Sequence, residues 1–555
     1  MSRIEVSLAP RLFRGRLDVA TRKLGLDALL TLSLLAVTAG FYWWFIESTT
    51  LTYAGQKFYT LFDDAMISMR YARNLADGHG LVWNPGETPV EGYTNPLWTL
   101  WMAALHLVGL PEASISLYVS LSGALLVAGS ALVMRQIAAH IYPESPSLGK
   151  IALFGSALYY PLVFWSLRGM EVGLVTFLLC VSVLLALRLR RRFSMLDVAG
   201  IMLVSSLGIL TRMEFLIPAL VVCGFALFWS PTPRVAVALT LGTAILVTLE
   251  GLTAFRVIYY GELLPNTYYL KVEGIAMSAR LSRGLATLLL LHVVHLGPVL
   301  AVIEGYFWKQ RLRLQPGETL IVLLFASLCG YSVWVGGDAW DHYGFTNRYI
   351  APVMPLMLLL AVRATRSLVD GIAFLRPVVW LPAIALLLVI NAAPVATLVR
   401  SGAPHSDGDA AWTAYGLLLR ETTAPDASLS VTWAGAVSYF SHRESFDQLG
   451  KTDAVIAKGP SVAANFRPGH SKWDHGYSFG ELRPDVITAI YYASKDDIQL
   501  IRRAGYASVV DSCLYRTGST KVDVERLRAG LTQLRSEPRY QGLLCVPQAS
   551  GSAAP

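Results

Sequence analysis

Long apolar runs separated by short polar connections fill the chain from Leu26 to Val399, and the pattern changes sharply after that. The runs fall near 26–47, 114–134, 150–166, 172–187, 196–211, 215–230, 235–257, 284–307, 318–335, 349–364 and 377–397. A spanning helix needs roughly 20 apolar residues, so the pattern predicts about eleven spans, some of them short. A further apolar stretch, NPLWTLWMAALHLVGLP, covers 95–111. Beyond Val399 the chain turns polar, and strand-like segments (SLSVTWAGAVSYFS, PDVITAIYYA, YASVVDSCLYR) alternate with helical ones, which predicts a small α/β domain. The expected fold is mainly α. A cytoplasmic N-terminus (1–25) precedes a polytopic membrane domain (26–399) whose first outer loop is 48–112. A soluble α/β domain (400–545) and a disordered tail (546–555) follow. No short-period repeat is present.

Composition agrees with this division. The chain is 54% hydrophobic and only 15% charged, with mean hydropathy +0.49, whereas soluble domains carry about 25% charged residues. The net charge of +8 does not point to nucleic acid, because the basic residues sit in short clusters between apolar runs. Four clusters matter: the N-terminus, RLRRR (188–192), KQRLR (309–313) and the stretch from Arg363 to Arg376. All should be cytoplasmic. They fall on one side only if 95–111 lies along the outer surface as a juxtamembrane helix, its Trp98 and Trp101 at the interface. The same parity puts the polar C-terminal region and five polar connections outside. These connections are 63–95, SLRGMEVG (166–173), LTRMEF (210–215), YYGELLPNTYYLKVE (259–273) and GGDAWDHYGFTNRY (336–349). The N-terminal run follows many basic residues and has no small-residue cleavage site, so it reads as an anchor. Cys513 and Cys545 lie in the polar region, where an oxidising compartment would allow a disulfide, and the sequence leaves that pairing open. Cys180, Cys223 and Cys329 lie in apolar segments as ordinary packing residues.

The acid-rich and aromatic-rich connections thus share one face, which predicts a polar cleft at one membrane surface. Asp63 and Asp64 open a segment, DDAMISMRYARNL, that also reads as an acid-capped helix. One acid is explained by the cap; the second repels the first and asks for a cation, a metal or a proton. A carboxylate there could act as general base toward a hydroxyl. Arg168 with Glu171, and Arg212 with Glu214, read as helix-end salt bridges or as the walls of a polar pocket. Lys271 and Arg348 stand on a face where cations are disfavoured, and both would suit a phosphate, Arg348 through its planar fork. The plainer reading of Arg348 is snorkelling at a helix end. Glu91, Asn266, Asp338, Asp341 and His342 complete the candidates for the pocket. One histidine among scattered acids is a weak metal signal, so no metal ligands are assigned and a divalent cation stays open.

At these residues the sequence resembles the GT-C superfamily of integral-membrane glycosyltransferases. The first-loop skeleton is similar to that of mycobacterial terminal β-1,2-arabinofuranosyltransferases: Asp63, Asp64, Arg73, Asn74, Gly78, Gly80, Val82, Asn84, Gly86, Glu87, Val90, Glu91 and Thr94. Further similar positions are Gly169, Glu171 and Gly173; Arg212, Glu214 and Phe215; and Tyr259, Tyr260, Gly261, Leu264, Pro265, Thr267 and Lys271. The resemblance covers roughly residues 25–360. It implies a GT-C fold in a bacterial inner membrane, a polyprenyl-phosphate-linked sugar donor, and a glycan or other cell-envelope acceptor. It further implies inverting transfer with one of Asp63 and Asp64 as base, Lys271 and Arg348 at the donor phosphate, and the remaining candidates around the sugar. Arabinofuranose is the sugar it favours. A lipid-linked donor fits a chain with no P-loop and no Rossmann glycine pattern. A transporter or lipid flippase would need ionisable groups at mid-membrane, where Glu250 is the main exception. A non-catalytic cell-envelope assembly protein would leave Asp63 and Asp64 as a simple cap.

Overall fold

The computed structural model describes residues 29–545 apart from 30, 232, 312, 342–346, 371–379 and 402–405. The expectations for 1–25, for the 546–555 tail and for His342 lie outside the described residues.

Helix α1 (31–47) leads into the hairpin β1 (Thr50–Tyr53) and β2 (Gln56–Tyr59), then α2 (Asp63–Ala76) and α3 (Pro96–Leu107). Next come α4 (Glu112–Ile141), α5 (Pro146–Ala157), α6 (Tyr160–Leu167), α7 (Val172–Arg191), α8 (Met195–Thr211), α9 (Leu216–Trp229), α10 (Arg234–Tyr260) and the short α11 (Asn266–Lys271). The apolar region closes with α12 (Met277–Leu291), α13 (Gly297–Lys309), α14 (Pro316–Val335), α15 (Met354–Val369) and α16 (Trp380–Ser401). Every predicted run is helical over most of its described length. Among the described residues five helices are individually long and apolar enough to cross a membrane: α4, α7, α10, α14 and the segment Ala351–Val369. The bent pair α5–α6, at 48°, makes a sixth if it is one span. Its break precedes Pro161, which lacks an N–H and cannot continue the preceding ladder. Helix α3 has 12 residues, about 18 Å at 1.5 Å per residue, too short to span, as expected for a surface helix.

The described residues of the clusters 188–192, 309–313 and 363–370 gather at one end of the bundle. Arg191 of α7 donates to the His140 carbonyl at 2.6 Å, Gly317 of α14 packs on Ile141 and Leu187, and Lys309 bonds the Ser367 carbonyl. The other end of α7 lies about 30 Å away along its 20 residues, and the polar connections meet there.

The C-terminal region is the expected α/β domain. Its elements are α17 (Asp407–Thr422), β3 (Ser428–Val431), α18 (Ala436–Ser441), β4 (Glu444–Asp447), α19 (Ala454–Lys458), β5 (Val486–Ile487), α20 (Lys495–Arg503), β6 (Tyr506–Val510), β7 (Cys513–Arg516) and α21 (Val524–Ser536). The five strands order as β4-β3-β5-β7-β6, with β3 parallel to β4 and β5, and β7 antiparallel to β5 and β6. Only the first four residues of SLSVTWAGAVSYFS form a strand; its second half is α18. Cys513 and Cys545 are disulfide-bonded, with Cα atoms 4.9 Å apart.

This domain is bonded to the first loop. The Gly435 and Ala436 N–H groups donate to the Asp63 carboxylate at 3.2 and 2.8 Å. Arg70 donates to the Ser438 and Arg443 carbonyls, and Trp83 to that of Ser445. A Cβ at position 435 would overlap the Asp63 carbonyl oxygen, so glycine permits the approach. The first loop and the α/β domain therefore lie on one side of the bundle. Cysteines placed at the exposed His79 and Ala464 should both react with an impermeant thiol reagent in intact cells. Labelling of only one would break this shared placement; labelling of neither would reverse the expected orientation.

Candidate active site

Asp63 and Asp64 occupy the first turn of α2, after Phe62 at the N-cap. The cap reading is therefore right about the backbone, yet neither carboxylate caps its own helix. One helical step apart, the two side chains point to different surroundings. Asp63 is 1% exposed. Its carboxylate accepts from the start of α18, and its own N–H donates to Asp409 at 2.9 Å. Burial pushes its pKa up to about 6, opposed by the charge of Lys451 and the Ala436 N–H. Asp64 instead lines a cleft. It accepts from Arg348 Nη1 at 2.9 Å and Trp340 Nε1 at 3.2 Å, and lies 3.5 Å from Lys451 Nζ. Burial would raise its pKa, but Lys451 and Arg348 outweigh burial and hold the carboxyl well below the usual range. Of the two acids, Asp64 reaches the cleft, and Asp63 fastens α2 to the α/β domain.

The cleft holds a cavity of about 60 Å³. Its charged lining is Asp64, Arg212, Lys271, Arg348 and Lys451, one acid against four cations, with His470 and Trp340 beside them. Lys271 sits in the last turn of α11 and has no hydrogen-bond or ion-pair partner among the described residues. Burial, then Arg348 and Arg212, bring its pKa down to about 8. An unpaired, partly desolvated ammonium beside three other cations is a site for an anion.

Arg348 does not snorkel. It grips the fully buried Asp338 through Nε at 2.9 Å and Nη2 at 2.8 Å, and its guanidinium stands 5.1 Å over the Trp165 ring. A second, mostly apolar groove with a cavity of about 30 Å³ lies among α7, α9 and α14, lined by Val172, Val175, Leu179, Phe215, Pro218 and Leu328 among others. Arg212 and Arg348 belong to both cavities and mark their junction. Arg212 is held there by Glu214 at 2.7 Å, Glu171 at 3.1 Å and Thr94 at 2.7 Å.

Several expected pocket residues have other duties. Arg168 is fully buried and pairs with Asp409 rather than with Glu171, because Gly169, at φ +86°, turns the chain between them. Glu91 pairs with Arg256 at 2.7 Å and does not line the cleft. Asn266 donates to the Gly450 and Lys451 carbonyls at 2.9 and 3.0 Å, so it shapes the loop that presents Lys451. Asp338 buttresses Arg348. Asp341 lies 3.7 Å from Arg283 and lines neither cavity. Burial, then the neighbouring Asp338, lift its pKa to about 8. Much of the first-loop skeleton is likewise structural: Asn74 donates to the Val82 and Trp83 carbonyls, and Asn84 accepts from Arg70.

Lys451 and His470, both from the α/β domain, were missed. Lys451 lies in DQLGKTD (447–453), and His470 in the basic-aromatic stretch PGHSKWDHGY (468–477). Lys472 staples this segment down, donating to the carbonyls of Tyr269, Glu273 and Ala457 at 2.8–3.0 Å. Among the described residues no three His, Cys, Asp or Glu side chains come together as a metal site. The residues around Asp64 do not fit a divalent cation, since Arg348 and Lys451 already face its carboxylate.

Comparison with known proteins brings in relatives. A 220-residue stretch is 30% identical to the terminal β-(1→2)-arabinofuranosyltransferase of Mycobacterium tuberculosis (strain ATCC 25618 / H37Rv), over 37% of this chain and 34% of that protein. Over that stretch the chain is similar to a glycosyltransferase. The match takes in about a third of that relative's length. A family described as a domain of unknown function (DUF8728) matches residues 405–531, within the α/β domain. Among solved structures, apo Archaeoglobus fulgidus oligosaccharyltransferase overlaps at TM-score 0.48 and 10% identity, over 83% of this chain and 69% of that one. Apo ArnT from Cupriavidus metallidurans overlaps at TM-score 0.46 and 14% identity, over 77% and 86%.

Proposed function

We propose that this chain is a membrane glycosyltransferase that moves a sugar, arabinofuranose being favoured, from a polyprenyl-phosphate donor to a glycan or other cell-envelope acceptor with inversion. The observation that carries this reading is the pair of arginines shared by an apolar groove and a cationic cleft. A lipid tail in the groove would bring its phosphate to Arg212 and Arg348, within the field of Lys271, and its sugar into the cleft beside Asp64. The acceptor hydroxyl attacks the anomeric carbon while Asp64 takes its proton. The bond from that carbon to the phosphate oxygen breaks, and polyprenyl phosphate leaves. Before donor binds, Arg348 and Lys451 keep Asp64 a weak base. The donor phosphate brings negative charge to the same cations and raises the proton affinity of Asp64, so donor binding activates the base. Basic clusters at the opposite end of the bundle favour an extracytoplasmic site in a bacterial inner membrane.

Purified protein in lipid nanodiscs should transfer sugar from a short-chain polyprenyl-phosphoryl arabinofuranose to an arabinofuranoside oligomer. Inactivity with this donor and with other polyprenyl-phosphoryl sugars would refute the proposal. Lys271→Gln should raise the donor KM on the order of 10- to 100-fold, the worth of a hydrogen bond to a charged group, with acceptor KM little changed. Only protonated Lys271 attracts phosphate, and its pKa is about 8. Donor KM of the unaltered protein should therefore rise above about pH 8, and Lys271→Gln should lose that limb. A variant that keeps both the affinity and the limb would clear Lys271 of the role.

A further inference from the structure

His470 holds a nitrogen that the mechanism above does not use. The side chain is 5% exposed and lines the cleft. Its Nδ1 lies 3.0 Å from the Pro468 carbonyl oxygen. A carbonyl only accepts, so Nδ1 carries the proton and Nε2 presents a lone pair. Nε2 is buried and has no hydrogen-bond partner among the described residues. Burial, then Lys451 and Arg467, hold the imidazole pKa well below its ordinary value, so the ring is neutral. It is also fixed in orientation, standing edge-on to Trp340 at 5.3 Å and 87°.

Beside the hydroxyls of Ser68, Tyr93, Thr94 and Thr267, the nitrogen-bearing side chains of the cleft are mostly donors. Arg212, Lys271, Arg348, Lys451 and Trp340 offer only N–H groups. Asp64 already accepts from three of them, and the Asn95 carbonyl is taken by Ser68 and Thr99. A buried acceptor without a donor is costly, and a ligand hydroxyl would satisfy it. We propose that His470 Nε2 accepts a hydrogen bond from a sugar hydroxyl in the cleft and so sets the orientation of one substrate; this rests on the transferase reading above. The hydroxyl belongs to the donor sugar or to the acceptor sugar, and kinetics separate the two. His470 is thus a binding residue contributed by the α/β domain, and Asp64 remains the base.

The test uses full-length protein in nanodiscs, a short-chain polyprenyl-phosphoryl arabinofuranose and an arabinofuranoside oligomer, each also prepared with single hydroxyls removed. His470→Leu should lower kcat/KM about 10- to 100-fold for the substrate it contacts, as expected when a buried polar partner is lost. His470→Gln, whose carbonyl reaches the position of Nε2, should keep most of the rate. One deoxygenated substrate should cost the unaltered protein as much as His470→Leu does and should cost that variant little more. A deoxygenated donor with this behaviour assigns the contact to the donor, and a deoxygenated acceptor assigns it to the acceptor. Unchanged kinetics in His470→Leu overturn the proposal. So does an equal loss in the Gln and Leu variants with no sensitivity to any hydroxyl, which would mark packing against Trp340. Where His470→Leu is unstable, indifference of the unaltered protein to every deoxygenation overturns it. No transfer at all by the unaltered protein overturns the transferase reading itself, before any variant is compared.

Discussion

Asp64→Asn should lower kcat for sugar transfer by about 10²- to 10⁴-fold, the usual worth of a general base, while the protein stays folded in the membrane. Asparagine keeps the size and can still accept from Trp340 and Arg348, but it cannot take the acceptor proton. It also removes the negative charge facing Arg348 and Lys451. Those cations then attract the donor phosphate more strongly, so the donor KM should stay level or fall as kcat collapses. Loss of activity through a raised donor KM would instead make Asp64 part of the binding site. Asp63→Asn should behave differently. Its carboxylate accepts two backbone N–H groups, and an amide offers only one acceptor atom, so a buried N–H is stranded at about 1–3 kcal/mol. The expected result is a lower Tm in detergent with near-normal kcat per folded molecule. If Asp63→Asn loses catalysis while its Tm is unchanged, the division of labour between the two acids is wrong.

The sequence carried the helices because hydropathy is a local property, and eleven apolar runs became helices in their expected places. It carried part of the cleft for a similar reason. Asp64, Lys271 and Arg348 each stand out within a short window, as a paired acid or as a cation on a face that disfavours cations. Side-chain partners were less legible. Arg168 and Glu171 are close in sequence, yet Arg168 pairs with Asp409, 241 residues away, and Glu171 with Arg212, 41 away. Buried charges take whichever counter-charge the packed fold supplies. Lys451 lies 387 residues from Asp64, and nothing near it in the chain marks it as part of a site. No candidate site residue was assigned to the α/β domain, whereas the fold places its Lys451, Pro468, Gly469 and His470 in the cleft wall.

Arg348→Met should be among the most disruptive single changes in this protein, and its cost should separate into two parts. The guanidinium meets Asp338 through two nitrogens and Asp64 through the third. Asp338 is 0% exposed and also accepts the Arg348 backbone N–H at 3.0 Å. Removing the cation strands a buried carboxylate, and breaking a buried pair in this way costs about 3–5 kcal/mol. Arg348→Lys should fall between, since one ammonium cannot satisfy both carboxylates. Adding Asp338→Asn to Arg348→Met removes the stranded charge, so the double variant should regain a large part of the lost Tm. Transfer should not return with it, because the junction of groove and cleft would still lack the cation that meets the donor phosphate. A double variant no more stable than Arg348→Met would show that the Asp338 pair is not the source of the cost. Transfer restored along with stability would mean that Arg348 serves the fold alone, leaving Lys271 and Arg212 to hold the phosphate.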